Sequence, residues 1–292
     1  MKPLVGRSLS VLLSLVLLTS CASAQKVDPS TPQPVPSPSV KESLQKKAPP
    51  PKPRAYYHFL LSQLKLREGK LDEAIEELRE AIAHDEKEPS LRVELASLYI
   101  YKGLMNEAIE ECQAAVRVDP LHLTAHLLLG GIYSSLKRNE LAIDSYKKAI
   151  EISPQHRESY LYLSSLYAES REYEKAILLL QQFLKIEPNS ALGLYSLGRI
   201  YAQTKSYDKA EEYFLKALAI EPNQISALMD LGIVYEIQNE TRKASEVYQK
   251  ILTLHPDHKG ARNRLGQTYI KEKKLDEALP QFQELQKSGS GD

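Results

Sequence analysis

The sequence predicts an all-α solenoid of seven helix pairs, and three observations carry that prediction. One alanine returns at a fixed interval: Ala74, Ala108, Ala142, Ala176, Ala210, Ala244 and Ala278 lie 34 residues apart, the period of a helix-turn-helix array. A leucine keeps the same register at Leu61, Leu95, Leu129, Leu163, Leu197, Leu231 and Leu265. A proline returns one period apart at Pro120, Pro154, Pro188, Pro222 and Pro256. Solenoids grow by stacking, so a chain of 292 residues reads as one elongated array behind an N-terminal segment of different character.

Each copy divides into two helices. In the fifth copy Leu194, Leu197, Gly198 and Tyr201 follow the spacing i, i+3, i+4, i+7 and line one helical face. The second helix carries Ala210, Phe214 and Ala217 at i, i+4, i+7. Small Gly198 and Ala210 allow close approach, and the larger Tyr201 and Phe214 fill the space beside them. Pro222 ends the second helix, because the residue before a proline is pushed out of the α region.

These residues resemble the tetratricopeptide repeat: Leu197-Gly198, Tyr201, Ala210, Phe214, Ala217 and Pro222, with Tyr99, Tyr133, Tyr167, Tyr235 and Tyr269 at the same tyrosine position elsewhere. The resemblance implies a right-handed superhelix with a concave groove, repeats at 55–88, 89–122, 123–156, 157–190, 191–224, 225–258 and 259–287, and a disordered tail at 288–292. Departures are expected to have consequences. The first copy has Lys65 and Glu86 where tyrosine and proline belong, so it is expected to cap the array with a wetter face. Phe183 and Ile251 replace alanine, which is expected to alter helix spacing. Pro280 falls early in the last helix, where it is expected to weaken the first turn. No solvating helix follows, so Leu279, Phe282 and Leu285 are candidates for an exposed face that pairs with a second copy.

The N-terminal segment reads as an export signal. Lys2 and Arg7 precede a short apolar run at 11–18, well short of the ~20 residues that span a bilayer. Leu18-Thr19-Ser20-Cys21 then resembles a bacterial lipobox. That resemblance implies a signal at 1–20, cleavage before Cys21, and acylation of Cys21 as the first mature residue. Ala22-Ser23-Ala24 offers a competing cleavage site. Several acyl chains would anchor firmly where one holds only marginally. By the same resemblance, Ala22 in place of Asp implies sorting to an outer membrane. Residues 21–54 hold nine prolines between Pro29 and Pro53. A chain without those N–H donors forms neither helix nor sheet. It is expected to be an extended spacer reaching on the order of 80 Å, in preference to a ligand for a proline-binding domain.

Composition and motifs exclude several functions. Basic and acidic residues balance at 38 each, which argues against a nucleic-acid binder. No His-Glu-x-x-His, phosphate loop or nucleophile elbow occurs. His122 and His126 are four apart but sit at a turn with no neighbouring Cys or carboxylate, and His255 and His258 mark a repeat boundary. We therefore expect no metal and no cofactor. Cys112 occupies a large core position and reads as a buried thiol.

What remains is a binding surface. The fifth residue of each copy is Phe59, Val93, Leu127, Leu161, Tyr195, Met229 and Asn263, on the first-helix face that lines the groove in the family. Leu127, Leu161, Tyr195 and Met229 are expected to form an apolar row for a partner segment, with Tyr162, Arg199 and Ile233 at its edge. The competing reading is that this row stabilises neighbouring helices. The ninth position reads Gln63, Ser97, Gly131, Ser165, Arg199, Ile233 and Gln267, without the Asn of a clamp for acidic tails. The expected function is a non-catalytic, lipid-anchored scaffold facing the periplasm and binding envelope proteins. By family analogy it serves pilus or secretin assembly or peptidoglycan enzymes. A polysaccharide-export or carbohydrate-binding module, or an accessory subunit of a separate enzyme, are the alternatives.

Overall fold

The computed structural model describes residues 53–289, with side chains to 287. The signal segment, Cys21 and the linker up to residue 52 lie outside the described residues. Fourteen helices and no strand occur among those described. They are α1 (Pro53–Arg67), α2 (Leu71–His84), α3 (Pro89–Lys102), α4 (Met105–Val118), α5 (Leu123–Ser135), α6 (Asn139–Ile152) and α7 (Arg157–Glu169). After these come α8 (Tyr173–Ile186), α9 (Ala191–Gln203), α10 (Tyr207–Ile220), α11 (Ile225–Ile237), α12 (Thr241–Leu254), α13 (Lys259–Lys271) and α14 (Leu275–Gly289). Each helix packs on the next, and the first helices of adjacent repeats also touch: α3 with α5, α7 with α9, α9 with α11. Those contacts put the free faces of the odd-numbered helices on the inner side of the stack. The array is the expected all-α solenoid.

Local chemistry explains the boundaries. The last residue of a copy caps the next first helix at five joints, the exception being Gln224, which makes no side-chain cap bond. Glu88 Oε1 accepts from Ser90 N–H at 3.1 Å, Ser190 Oγ from Gly193 N–H at 3.2 Å, and the Nδ1 atoms of His122, His156 and His258 from N–H groups three residues on at 3.0–3.3 Å. Each satisfies a donor that the first turn leaves unpaired. Inside each repeat the first helix ends on a left-handed residue. Gly69 and Gly103 adopt φ of 75° and 82°, and Lys137, Arg171, Lys205, Asn239 and Lys273 accept 59–62°. The next residue's N–H returns to the carbonyl five positions back, as in Arg138 to Tyr133 at 2.8 Å.

The periodic alanines are fully buried or nearly so, and the periodic leucines that line the core with them include Leu95, Leu163, Leu197, Leu231 and Leu265. The repeat tyrosines knit consecutive copies. Arg79 Nε and Nη2 donate to Tyr99 Oη at 3.1 and 2.9 Å, Gln113 Nε2 donates to Tyr133 Oη at 3.0 Å, and Gln249 donates to Tyr269. In the first copy, which has no predecessor among the described residues, Lys65 bonds Glu73 at 2.6 Å instead.

Residue size is matched across each helix pair. A Cβ built on Gly130, Gly198, Gly232 or Gly266 would lie 2.5–2.8 Å from the ring of Tyr146, Phe214, Tyr248 or Phe282. Where the facing residue is Leu78, Cys112 or Leu180, the glycine position holds Ser62, Ala96 or Ser164. The same compensation absorbs Phe183: it stays buried, stacks on Tyr160 with ring centroids 5.4 Å apart, and meets Gly193 of the next repeat.

Three expectations need correction. The last helix runs to Gly289, and α1 begins at Pro53, so 53–54 and 288–289 are helical. Proline fits the first position of a helix, where its missing N–H has no partner to lose. Pro280 is the sixth residue of α14 and therefore past the first turn, yet the helix continues through it. Phe282 does not belong to the open end face: its ring lies over Gly266 and packs on the core, while Leu275 and Leu279 stand 64% and 59% exposed. The first repeat does present a wetter face at its open end, as expected, but the side chains there are apolar. Tyr57 and Leu64 are 58% and 49% exposed, at positions where all six later copies are buried. Those copies have a preceding helix against them, and among the described residues the first copy has none.

Candidate functional site

The inner face is built by residues 5, 6, 9 and 12 of each copy, which helical spacing aligns on the side of the first helix away from its partner. Of the predicted row, Leu127, Leu161, Tyr195 and Met229 are half-buried and pack against the core. They floor the groove rather than project into it. Val93, at the same position, is fully buried with Ala115 and Ala125, so the row does not extend to the second copy. Ile233 is half-buried; Tyr162 and Arg199 are exposed.

The two halves of the groove differ in chemistry. Around copies three and four it is apolar: Leu127, Leu161 and, stacked on Tyr146 with ring centroids 5.5 Å apart, Tyr162. From copy five onward it carries charges of alternating sign. Tyr195 Oη donates to Asp230 Oδ2 at 2.9 Å, and the Arg199 guanidinium lies 5.8 Å from the Tyr195 ring centroid and 4.0 Å from Asp230. Next come Glu236 and Arg264, joined by contacts of 3.2 Å to both carboxylate oxygens. Tyr248 Oη also donates to Glu236 at 2.6 Å, and Lys271 lies 4.0 Å away.

Burial dominates the electrostatics. It holds the Asp230 carboxyl above its usual range, against the opposing pull of the Tyr195 hydrogen bond and the charges of Arg199 and Arg264. Desolvation likewise raises Tyr195, Tyr146 and Tyr248. The Cys112 thiol, fully buried, is pushed up to about 12. These shifts move the tyrosines and the thiol away from their ionised, nucleophilic forms. Arg199 is the reverse: its guanidinium is more than half exposed and only distantly paired, which leaves donors for a partner carboxylate.

The sequence reading placed Tyr195 and Arg199 in the groove but missed Asp230, which joins them from the next repeat 35 residues on. An acidic residue at the sixth position of the largely apolar α11, which holds one other acid in Glu236, was the available signal. The histidines weighed as ligands are engaged elsewhere. His122 and His258 cap helices, and His126 Nε2 lies 3.0 Å from the Pro120 carbonyl oxygen.

Profiles of the tetratricopeptide repeat match residues 59–117, 93–157, 158–190, 189–257 and 229–292. The chain is a tetratricopeptide-repeat protein. No curated protein matches it at a significant level. Among solved structures the repeat array is similar to MamA, with 27% identity, a TM-score of 0.51, and coverage of 56% of this chain and 95% of that one. PilW, described as a type IV pilus biogenesis factor, aligns at 19% identity and a TM-score of 0.58 over 70% of this chain and 94% of that one. YrrB, described as having an unusual peptide-binding site, aligns at 20% identity and a TM-score of 0.52 over 63% and 95%. The last two are likenesses of fold. As a tetratricopeptide-repeat array, the chain has the architecture of a protein-interaction scaffold. Among the described residues no helix is long and apolar enough to cross a membrane.

Proposed function

We propose that this chain is a non-catalytic, lipid-anchored scaffold of a bacterial envelope, holding a partner segment along its inner face. The observation that carries the reading is the two-part groove. Half-buried Leu127 and Leu161 with exposed Tyr162 lead into Arg199, Asp230, Arg264 and Glu236. Such a surface suits a segment with apolar residues at one end and charges at the other, and aromatic and arginine side chains are the usual anchors of such contacts. PilW, which shares the fold, is described as a pilus biogenesis factor, and an assembly role of that kind is the specific form we favour. Tyr195 and Met229 are half-buried, so their truncation would disturb packing as well as binding. The cleaner test replaces Tyr162 with Ala and Arg199 with Glu. Each is expected to weaken partner binding by on the order of 2 kcal/mol with the melting curve retained. A photo-crosslinker at Tyr162 should capture one envelope protein that the same crosslinker at Lys147, on a second helix, does not. Equal capture from both sites would reject the groove.

The anchor in this reading is Cys21 behind Leu18-Thr19-Ser20, with residues 28–52 as spacer and the outer membrane, periplasmic side, as destination. Cys21→Ser should abolish incorporation of a labelled fatty acid; label retained in that variant would sink the anchor. Self-association also belongs to the proposal. Tyr57 and Leu64 at one end, and Leu275 and Leu279 at the other, are the two halves of the joint that the chain makes between its own repeats. Pairing should therefore run head to tail, so that Leu64→Glu or Leu279→Glu alone returns any oligomer seen by light scattering to monomer. Monomer throughout, at high concentration of the unaltered chain, would remove this part.

A further inference from the structure

We infer that the first repeat carries a divalent transition-metal site formed by His58, Glu80 and His84, independent of the groove. Their ligand atoms all lie within 4.8 Å of one another. Glu80 and His84 sit one turn apart on α2 and so share a face, and His58 reaches them from α1, its ring stacked on that of His84 with centroids 5.4 Å apart. Closing to the roughly 3.3 Å between ligands of a tetrahedral ion with bonds of about 2.0–2.1 Å takes side-chain rotation at half-buried or exposed groups, not backbone movement.

The repeat itself supplies the strongest argument, because the first copy is the one that combines all three residues: His126 recurs at the His58 position and Glu284 at the Glu80 position, but neither meets a histidine at the His84 position. Where His84 stands, the next five copies have Val118, Ile152, Ile186, Ile220 and Leu254. Where Glu80 stands, copies two to six have Ala114, Lys148, Gln182, Lys216 and Lys250. At the His58 position, His126 Nε2, Tyr160 Oη and an Arg262 guanidinium nitrogen each bond the carbonyl of a preceding proline, namely Pro120, Pro154 and Pro256. In the first copy no repeat precedes among the described residues. His58 binds Glu77 through Nδ1 at 2.7 Å, and its Nε2 has no hydrogen-bond partner there. That arrangement is how a metal-binding imidazole is commonly held: one ring nitrogen fixed by a carboxylate, the other left for the ion. Glu80 makes no hydrogen bond or ion pair among the described residues, and His84 only the ring stack. The cluster lies at the carboxyl end of α2, where the helix dipole favours a cation.

Two imidazoles and a carboxylate suit zinc or a similar borderline ion, with water or a partner side chain in the remaining position. Bound there, the ion ties α1 to α2 and stiffens the end of the array that, among the described residues, has no covering helix. The spacing rules applied to the sequence pointed to no metal because the third ligand lies 22 residues before Glu80 and becomes a neighbour only when the two helices fold together.

The test is a calorimetric titration of zinc ions into the full chain carrying Cys21→Ser, which removes a competing thiol, repeated with cobalt(II) to read the visible bands of a tetrahedral site. One saturable site in the micromolar range or tighter is expected. His58→Ala, His84→Ala and Glu80→Gln should each weaken it at least about tenfold, and Glu77→Gln by about 10–100-fold without changing stoichiometry. His122→Ala, a capping variant, should bind as the unaltered chain does. Circular dichroism confirms that each variant keeps its helices. No saturable uptake by the unaltered site, or undiminished uptake by the folded His58→Ala, His84→Ala double variant, overturns the inference.

Discussion

Replacing Leu197 with alanine is expected to cost about 2–5 kcal/mol of stability, the range for a leucine deleted from a core that cannot collapse around the gap. Leu197 is 0% exposed, held on α9 between its own second helix α10 and the preceding α8, both of which pack on it. Relaxation into the space is limited, because Leu197 shares its core cluster with the fully buried Ala210 and Phe214. In a stacked array the loss falls on the nearest joints. Amide exchange should therefore accelerate first in α8 to α11, with α1 to α4 little affected. Urea unfolding followed by far-ultraviolet dichroism measures the total, and an unchanged midpoint would show that the repeat register assigned here is wrong.

The second large effect is a reversal of sign. Gly198→Ala alone should destabilise, although alanine is the better helix former by up to about 1 kcal/mol. Its Cβ would lie 2.7 Å from two ring carbons of Phe214 and 3.3 Å from the Ala210 carbonyl oxygen. A fully buried ring has nowhere to swing, so overpacking of about 1–3 kcal/mol outweighs the helix gain. On a Phe214→Leu background the contact disappears and the helix gain remains, so the same substitution should become neutral or stabilising. The fourth copy already shows the resulting pairing in Ser164 facing Leu180, and the first in Ser62 facing Leu78. A double-mutant cycle should give a coupling within the range of about 0.5–3 kcal/mol seen for touching residues. Strict additivity would mean that the glycine and aromatic positions are not matched.

The residues that repeat every 34 positions were enough to establish the helix pairs, the alanine and leucine core and the family. They could do so because those features are local: helical spacing places Leu197, Gly198 and Tyr201 on one face whatever surrounds them. The buried state of Cys112 was legible for the same reason, since a core position stays core in every copy. Cys21, its signal and the linker rest on sequence alone and belong to the proposal.

Other properties depend on which side chains meet across a joint, and periodicity does not report that. Val93 and Leu127 occupy equivalent positions, yet Val93 is buried with Ala115 and Ala125 while Leu127 floors the groove. Phe282 appeared to be an end residue until Gly266 opened a place for its ring. Asp230 reaches Tyr195 only when one repeat stacks on the next, and burial then gives that carboxyl its raised pKa. His58, Glu80 and His84 are unremarkable in the chain and adjacent in the fold. Sequence alone determined the repeating unit, since that is set by interactions within a few helical turns. The groove's chemistry, the size matching and the histidine cluster were decided by contacts between elements, whose partners lie too far apart in the chain for any short pattern to record.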